Sequence, residues 1–160
     1  MKHDHQVAAL PWRRGAEGVE ILLVTTRTTK RWVIPKGWPM DGKADHEAAA
    51  IEAYEEAGVR GHISAAVCGQ YGYLKMSEKG RAKQLMVTVY PLQVEMELAG
   101  WPERHERERR WMSCTEACEL AGEPGLVPLL KSFVDHPPKN PPWPAVEKKS
   151  FWQKLWTMFR

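Results

Sequence analysis

The segment from Asp45 to Gly58 constrains the fold of this chain more than any other, because both of its ends are marked. It is rich in alanine and glutamate, which form helices readily. Asp45 is suited to cap a helix N-terminus, and Gly58 stands where a left-handed residue ends a helix. The sequence therefore predicts a helix from about Asp45 to about Ala57. Along it, Ala49, Ala53 and Ala57 form a stripe of small side chains that can pack closely against a sheet.

Three acidic residues of this helix lie close together. Glu55 and Glu56 follow Glu52 by three and four positions, so all three carboxylates emerge on one side within about a turn. A divalent cation, which prefers oxygen ligands, would relieve their mutual repulsion. The same pattern is also typical of an ordinary solvated acidic face. The helix alone leaves both interpretations open.

The residues on either side of the helix favour the metal site. Pro35-Lys36-Gly37, a loop, the helix and Gly58-Val59 follow one another in an order that resembles the Nudix box. That pattern begins with a glycine, five residues of any type and a glutamate, and continues with seven residues of any type. It ends with arginine-glutamate, an aliphatic residue, any residue, two glutamates, any residue, a glycine and an aliphatic residue. The positions that match in register are Gly37, Glu52, Ala53, Glu55, Glu56, Gly58 and Val59.

Two positions of the box depart from the family pattern. Lys43 stands where the family usually has glutamate, and Ile51 stands where it usually has arginine. The usual residues carry opposite charges, so replacing both together leaves no charge without its partner. A catalytically weak relative, which binds a nucleotide or another partner, therefore stays an alternative to an enzyme.

The resemblance extends beyond the box, from about Val7 to about Val134. It includes the approach from Arg31 to Gly37 and the later Arg109-Arg110-Trp111. It implies a fold of the α/β class, with a mixed β-sheet sandwiched between helices (α/β/α). The run from Arg31 to Trp38 is most similar to the branch of the family that hydrolyses diphosphoinositol polyphosphates and diadenosine polyphosphates.

The resemblance also implies roles for residues of the box. Glu52, Glu56 and the backbone carbonyl of Gly37 would bind Mg²⁺ or Mn²⁺, and Glu55 would be the catalytic base or position the attacking water. Magnesium prefers oxygen ligands and keeps several waters, so this set needs no histidine or thiolate. A further acid in the family often comes from a loop after the central strands, and the candidates are Glu103, Glu108 and Glu106, which we prefer.

Basic residues at predicted strand ends and loops are suited to draw a polyphosphate to the box. Basic side chains are also exposed in most proteins without binding anything. Trp32 and Trp38 flank the loop before the helix, where they either pack or stack on a nucleobase. The residues that we assign to substrate binding are Arg27, Lys36 and Lys83.

The chain outside the box predicts an opening hairpin, two central strands that pair, a short last strand and two closing helices. Together with the box they make one domain over residues 1–136, a size that can bury a core of its own. In chain order these elements are Gln6–Trp12, Val19–Thr26, His62–Tyr73, Gln84–Glu95, Trp111–Ser113, Thr115–Ala121 and Gly125–Val134.

Two further segments follow the domain. Residues 137–144 contain five prolines in eight residues, a composition typical of a linker. Residues 145–160 predict a basic amphipathic helix, with aromatic residues at helical spacing from Phe151 to Phe159. We expect this helix to dock on its own domain or on a second subunit, since aromatic stripes generally mark protein contacts. Contact with an anionic membrane surface is the alternative.

Composition limits the partners and the compartment. The formal net charge is +3, which suits a small anionic ligand without implying nucleic acid. Three cysteines without a CxxC pair predict reduced thiols rather than a disulfide scaffold or a zinc site. No segment reaches the ~18 apolar residues of a membrane span, and nothing at the N-terminus directs export, so we expect a cytoplasmic protein.

The preferred function is therefore metal-dependent hydrolysis of a phosphoanhydride bond in an anionic polyphosphate. The expected substrate is of the diphosphoinositol polyphosphate or dinucleoside polyphosphate type, and the expected cofactor is Mg²⁺ or Mn²⁺. Hydrolysis of ADP-ribose or of a nucleoside diphosphate-sugar is an alternative, because the same box serves these reactions and selectivity lies in variable loops.

Overall fold

The computed structural model describes residues 4–138. The predicted helix over residues 145–160, and the linker beyond residue 138, lie outside the described residues. No helix within residues 4–138 is long and apolar enough to cross a membrane. The elements of the described part are β1 (His5–Gly15), β2 (Gly18–Thr25), β3 (Trp32–Val33), β4 (Lys36–Gly37), α1 (Asp45–Ala57), β5 (Val59–Ile63), β6 (Gly69–Met76), β7 (Ala82–Glu97), β8 (Arg109–Ser113), α2 (Cys114–Leu120) and α3 (Leu126–Asp135).

The eight strands of this part form one mixed sheet. Its main path has the order β3-β2-β1-β7-β5, while β4 pairs with β1, β6 with β7 and β8 with β2. β1 runs parallel to β7, with His5 opposite Met86 and Trp12 opposite Gln93. The other pairs are antiparallel, including the predicted hairpin of β1 and β2. The predicted mixed sheet is confirmed.

Successive residues of β1 point to opposite faces of the sheet, so each face packs against its own helices. Val7 and Ala9 belong to the apolar cluster under α1, which contains the buried alanine stripe of that helix. Leu10 and Trp12 belong to a second cluster on the other face, together with Leu126 of α3. The sheet therefore lies between α1 on one side and α2 with α3 on the other.

Helix α1 has the predicted bounds, Asp45–Ala57, but its N-cap is Ala44 rather than Asp45. Asp45 is the first helical residue, where its negative charge suits the helix dipole. The carboxylate of Glu47 accepts a hydrogen bond from the backbone N–H of Ala44 at 3.1 Å, which ties the start of the helix to the preceding loop. At the other end, Gly58 has a φ of 66°, the left-handed conformation that the sequence predicts.

The single strand predicted over His62–Tyr73 is wrong, since this segment contains parts of two strands, β5 and β6. Between them, the hydroxyl of Ser64 accepts a hydrogen bond from the backbone N–H of Ala66 at 3.0 Å, which folds the chain into a local turn. β5 then pairs with the second half of β7 and β6 with its first half. Because it has partners along its length, β7 extends over Ala82–Glu97, beyond the predicted Gln84–Glu95.

Candidate active site

A cavity of about 810 Å³ opens beside the acidic residues of α1. Its walls come from β4, α1, β6 and the loops after β2 and before β8. The pairing of β1 with both β4 and β7 brings these segments to one place in the fold. Acidic and basic side chains both line the cavity, and they are Glu52, Glu56, Glu103, Glu123, Arg27, Arg31, Lys36, Lys75 and Arg107.

Glu52 and Glu56 lie one helical turn apart on the cavity side of α1, and their carboxyl groups are hydrogen-bonded to each other. Glu56 is only 6% exposed. Burial raises the pKa of Glu52, and the charges of Glu56 and Glu55 raise it further. Burial also raises the pKa of Glu56, although the charge of Arg107 opposes that rise. Burial and mutual repulsion therefore disfavour the form in which both carboxyl groups are ionised.

Glu55 is half-buried at the edge of this site and is not among the cavity-lining residues of the described part. Burial raises its pKa, and the charge of Glu103 raises it further. The backbone N–H of Glu103 donates to the carbonyl oxygen of Glu55 at 3.0 Å. Glu55 therefore stands beside a fourth acid that comes from another segment of the chain.

That segment, the loop from Trp101 to Arg107, packs against the C-terminal half of α1. The indole Nε1 of Trp101 donates to the carbonyl oxygen of Glu56 at 3.0 Å and holds the start of the loop. Arg107 holds its end, since Nε donates to Glu103 and Nη1 to the carbonyl of Thr25, both at 3.0 Å. The same Nη1 lies 3.8 Å from Oε1 of Glu56. One arginine is thus shared between two acids of the cavity.

The acid that this loop brings to the cavity is Glu103, whereas the sequence favoured Glu106. Glu103 lines the cavity, and its charge acts on all three acids of α1. Glu106 is not among the described cavity-lining residues; its backbone N–H donates to Glu103 and its carbonyl accepts from Lys30. Glu103 pairs with Arg107 at 3.0 Å, but Glu106 is also followed by an arginine four residues later, so the spacing alone does not distinguish the two acids.

Gly37 lies directly against the side chain of Glu52. Its place is set by the pairing of β4 with β1, in which Gly37 is opposite Val7. A Cβ atom at position 37 would lie 2.3 Å from Oε1 of Glu52, well inside van der Waals contact. Glycine is therefore required here for the carboxyl group to approach the backbone of the loop.

Two of the three residues predicted to bind substrate, Arg27 and Lys36, line the cavity. Lys83 is not among the described residues that line it. Its half-exposed ammonium group lies 3.0 Å from a carboxylate oxygen of Asp4. Lys83 is opposite Lys75 across the β6–β7 pair, and of these two residues it is Lys75 that lines the cavity. The charged lining residues that sequence reasoning did not single out for the site include Arg31, Arg107 and Glu123.

Comparison with known proteins assigns the chain to a family. A model of the NUDIX domain matches residues 2–136. This chain belongs to the Nudix family. Nudix hydrolase 12, mitochondrial, of Arabidopsis thaliana is 35% identical over 122 residues, which cover 72% of this chain and 59% of that protein. The chain therefore spans about three fifths of the length of this relative. Human diphosphoinositol polyphosphate phosphohydrolase 3-beta is 27% identical over 117 residues, covering 72% of this chain and 67% of that protein.

Solved structures share the fold. A Caenorhabditis elegans Ap4A hydrolase superimposes with a TM-score of 0.57 and 21% identity, covering 81% of this chain and 94% of the other. A NUDIX hydrolase from Nitrosomonas europaea gives a TM-score of 0.59 and 17% identity, covering 81% and 87%. The mixed sheet between helices is thus the Nudix fold.

The departures from the Nudix box have a structural counterpart at Ile51, which is 1% exposed. Ile51 packs with Tyr54, Met40 and Leu98 in a small apolar cluster. Met40 belongs to the loop before α1, so this cluster ties the loop to the helix. Within the loop, the backbone N–H of Lys43 donates to the carbonyl of Met40 at 3.1 Å. Apolar packing at Ile51 therefore holds the loop where the usual box has two oppositely charged residues.

The side chains of the Nudix box fit a divalent cation, although no three His, Cys, Asp or Glu side chains of residues 4–138 are already arranged to hold one. Glu52 and Glu56 would repel each other if both were ionised, and this repulsion raises the pKa of Glu52. The absence of a side chain at Gly37 leaves the backbone of the loop open to Glu52. A cation with oxygen ligands can remove that repulsion.

Proposed function

We propose that this Nudix protein hydrolyses a phosphoanhydride bond in an anionic polyphosphate, with Mg²⁺ or Mn²⁺ as its cofactor. The proposal rests on one observation, that the paired carboxyl groups of Glu52 and Glu56 line the same cavity as Arg27, Lys36 and Arg107. Carboxylates for a cation and a basic wall for phosphate groups then lie side by side. Hydrolysis of a phosphoanhydride demands this combination, because catalysis is mainly positioning and charge neutralisation.

The residues of the box would have two separate roles, metal binding and activation of the attacking water. Glu52, Glu56 and the backbone carbonyl of Gly37 would hold the metal ion, which neutralises phosphate charge and lowers the pKa of a bound water. Glu55 would accept the proton of the attacking water or orient that water. Burial raises the pKa of Glu55, and a raised pKa makes a carboxylate a stronger base, which supports this role.

The preferred substrate class is a diphosphoinositol polyphosphate or a dinucleoside polyphosphate. The basic residues that line the cavity suit a ligand with several phosphate groups. The similarity to the human diphosphoinositol polyphosphate phosphohydrolase supports the first type, and the shared fold with an Ap4A hydrolase is compatible with the second. Trp38, which lies at the rim with the ammonium of Lys75 at 5.5 Å from its ring, would stack on a base in the second type only.

A substrate panel tests the proposal. A diphosphoinositol polyphosphate, a dinucleoside polyphosphate, ADP-ribose and a nucleoside diphosphate-sugar are each incubated with the protein and Mg²⁺, and the released phosphate or nucleotide is quantified. We expect kcat/KM for one of the first two to exceed that for the last two by at least about tenfold, because selectivity follows the contacts that each substrate makes. EDTA is the matched control and should abolish turnover. Absence of metal-dependent turnover on the whole panel would refute the proposal.

A further inference from the structure

Glu123 is a carboxylate in the cavity that the function proposed above does not use. It lies in the loop between α2 and α3 and is 3% exposed. A carboxylate buried to this extent is costly unless other groups bond to it. Two do so: the hydroxyl of Tyr71 donates to Oε1 at 2.8 Å, and the ammonium of Lys36 lies 3.0 Å from Oε2. Both oxygens of the carboxylate are therefore engaged.

The loop that carries Glu123 is itself fixed to the sheet. The backbone N–H of Gly122 donates to the carbonyl of Trp32 at 2.7 Å. The guanidinium of Arg31 donates to the carbonyl of Gly122 at 3.2 Å. Gly125 lies so close to β6 that a Cβ atom there would be 2.8 Å from the carbonyl oxygen of Gly72. These contacts fix the backbone of the loop on both sides of Glu123.

Both the backbone and the side chain of Lys36 are fixed by contacts with neighbouring residues. Its backbone is paired with Ala8 in β1, and it directly precedes Gly37 of the metal site. Its side chain is 11% exposed and lines the cavity. Its ammonium lies 3.0 Å from Glu123 and 4.9 Å from the centre of the Tyr73 ring. A lysine side chain is long and flexible, so these contacts decide where its charge stands.

We propose that Glu123 is a positioning residue that holds the ammonium group of Lys36 in the cavity as a fixed binding point for a phosphate group of the substrate. This role rests on the proposed function. Without the carboxylate, the Lys36 side chain is free to turn toward the acids of α1, which line the same cavity. The polyphosphate then loses a preformed contact and has to pull the lysine away from those acids. Glu123 acts through Lys36 and needs no contact with the substrate.

A double-mutant cycle in the full chain tests the inference. Glu123→Gln, Lys36→Met and the double variant are titrated with inorganic tripolyphosphate in EDTA by calorimetry. We expect each single variant to bind about tenfold more weakly, as loss of a charge-assisted contact implies. The double variant should be no weaker than Lys36→Met alone, because Glu123 has no effect without the lysine. A loss of about a hundredfold in the double variant, or unchanged binding by Glu123→Gln, would overturn the inference.

Two further variants separate positioning from a general effect on folding. Glu116→Gln is the matched control, since Glu116 forms a half-exposed ion pair with Arg110 at 3.2 Å, away from the described cavity lining. It should bind tripolyphosphate like the wild type. Should Glu123→Gln fold poorly, Glu123→Asp keeps the charge but shortens its reach, and should weaken binding only while Lys36 is present. An equal loss with and without Lys36 contradicts positioning.

Turnover gives a second measurement on the substrate that the panel identifies. Glu123→Gln should raise KM by about tenfold and change kcat by less than about threefold, because the lost contact affects ground state and transition state alike. A change confined to kcat contradicts the inference. If the wild type hydrolyses nothing on the panel, the proposed function fails while the tripolyphosphate cycle still decides the role of Glu123. Failure of the wild type to bind tripolyphosphate counts against that role.

Discussion

Arg109 donates through Nη1 to the carbonyl oxygen of Ala57 at 2.9 Å, so that a residue of β8 closes the C-terminus of the helix that carries the acids. The same nitrogen lies 3.2 Å from the carbonyl of Gly58, and Nη2 lies 2.8 Å from that of Leu98. The guanidinium also stacks on the ring of Trp101 at 4.1 Å. Carbonyl groups at the C-terminus of α1, which have no partner within the helix, therefore accept hydrogen bonds from the guanidinium of Arg109. The helix dipole favours a positive charge at this end.

Replacing Arg109 should destabilise the protein through this end of the helix. Arg109→Met keeps much of the apolar length and removes the donors, so we expect a loss of about 2–3 kcal/mol in the free energy of unfolding. Urea unfolding followed by circular dichroism measures it. Arg110→Met is the neighbouring control, since Arg110 forms a half-exposed ion pair with Glu116 and lies 5.4 Å from the centre of the Trp32 ring, and its loss should cost less than about 1 kcal/mol. Equal losses in the two variants would contradict the role of Arg109.

The acids of α1 should matter for turnover far more than for folding. Under the proposed function, Glu55→Gln and Glu56→Gln should each reduce kcat by at least about 100-fold, because they would remove a base or a metal ligand while keeping the shape of the side chain. Glu119→Gln, an exposed residue of α2, is the control and should keep normal turnover. Near-normal kcat in both test variants would show that the box residues have other roles.

Two lysines predicted from the sequence to bind substrate should now differ. Lys36→Met should raise KM by about tenfold, because Lys36 lines the cavity and its charge meets the phosphate groups. Lys83→Met, the same substitution in a residue paired with Asp4 instead, should leave KM within about twofold of the wild type. Steady-state kinetics on the substrate identified by the panel decide this. A larger change in KM for Lys83→Met than for Lys36→Met would show that Lys83 contributes to substrate binding.

The stability of the metal-free protein should fall as the pH rises. Burial and the neighbouring charges of Glu56 and Glu55 raise the pKa of Glu52 in the folded state. A carboxyl group of this kind binds its proton more tightly when folded, so its contribution is present below the unfolded pKa and is lost as the pH rises through the folded pKa. In EDTA, the Tm of the wild type should therefore drop between about pH 5 and pH 8 relative to that of Glu52→Gln.

Adding Mg²⁺ should reverse that drop, and more strongly at pH 8 than at pH 5, because protons compete less with the cation for the carboxyl groups as the pH rises. Thermal melts at both pH values, with and without Mg²⁺, provide the comparison. A Tm difference between wild type and Glu52→Gln that does not vary with pH would contradict the raised pKa.

Restoring the usual arginine at position 51 should be harmful in this chain. Ile51 is buried against Tyr54, Met40 and Leu98, so Ile51→Arg places a charge in an apolar cluster and should cost about 3 kcal/mol or more of stability. Lys43→Glu, at the other altered position of the box, should cost less than about 1 kcal/mol because Lys43 is only partly buried. If the double variant is more stable than Ile51→Arg alone, the two positions interact.

Local signals in the sequence were sufficient for α1 and its acids. The alanine stripe, Gly58 and the spacing of the glutamates are all properties of one helix, and each is found where it was predicted. The fold class followed from the resemblance of this same segment to the box. The apolar run from Gln6 to Trp12 likewise predicted a strand, although it did not reveal that this strand lies parallel to β7.

Features that depend on contacts between distant segments were not predictable. The choice of Glu103 over Glu106 depends on a bond from the Trp101 indole to the backbone of α1, which no local pattern encodes. The burial of Glu123 depends on partners in β4 and β6, far away in the sequence. The exclusion of Lys83 depends on Asp4, which lies far away in the sequence.

The hairpin of β6 and β7 supplies one wall of the cavity through Tyr73 to Met76, and its turn is closed by hydrogen bonds that join Ser77 to Gly80 and Arg81. An insertion of two residues in each strand of such a hairpin leaves every side chain on the same face of the sheet. An insertion of one residue in β6 before Lys75 would move the Lys75 side chain to the opposite face. The height of this wall can therefore change in steps of two residues per strand while α1 and its acids stay in place.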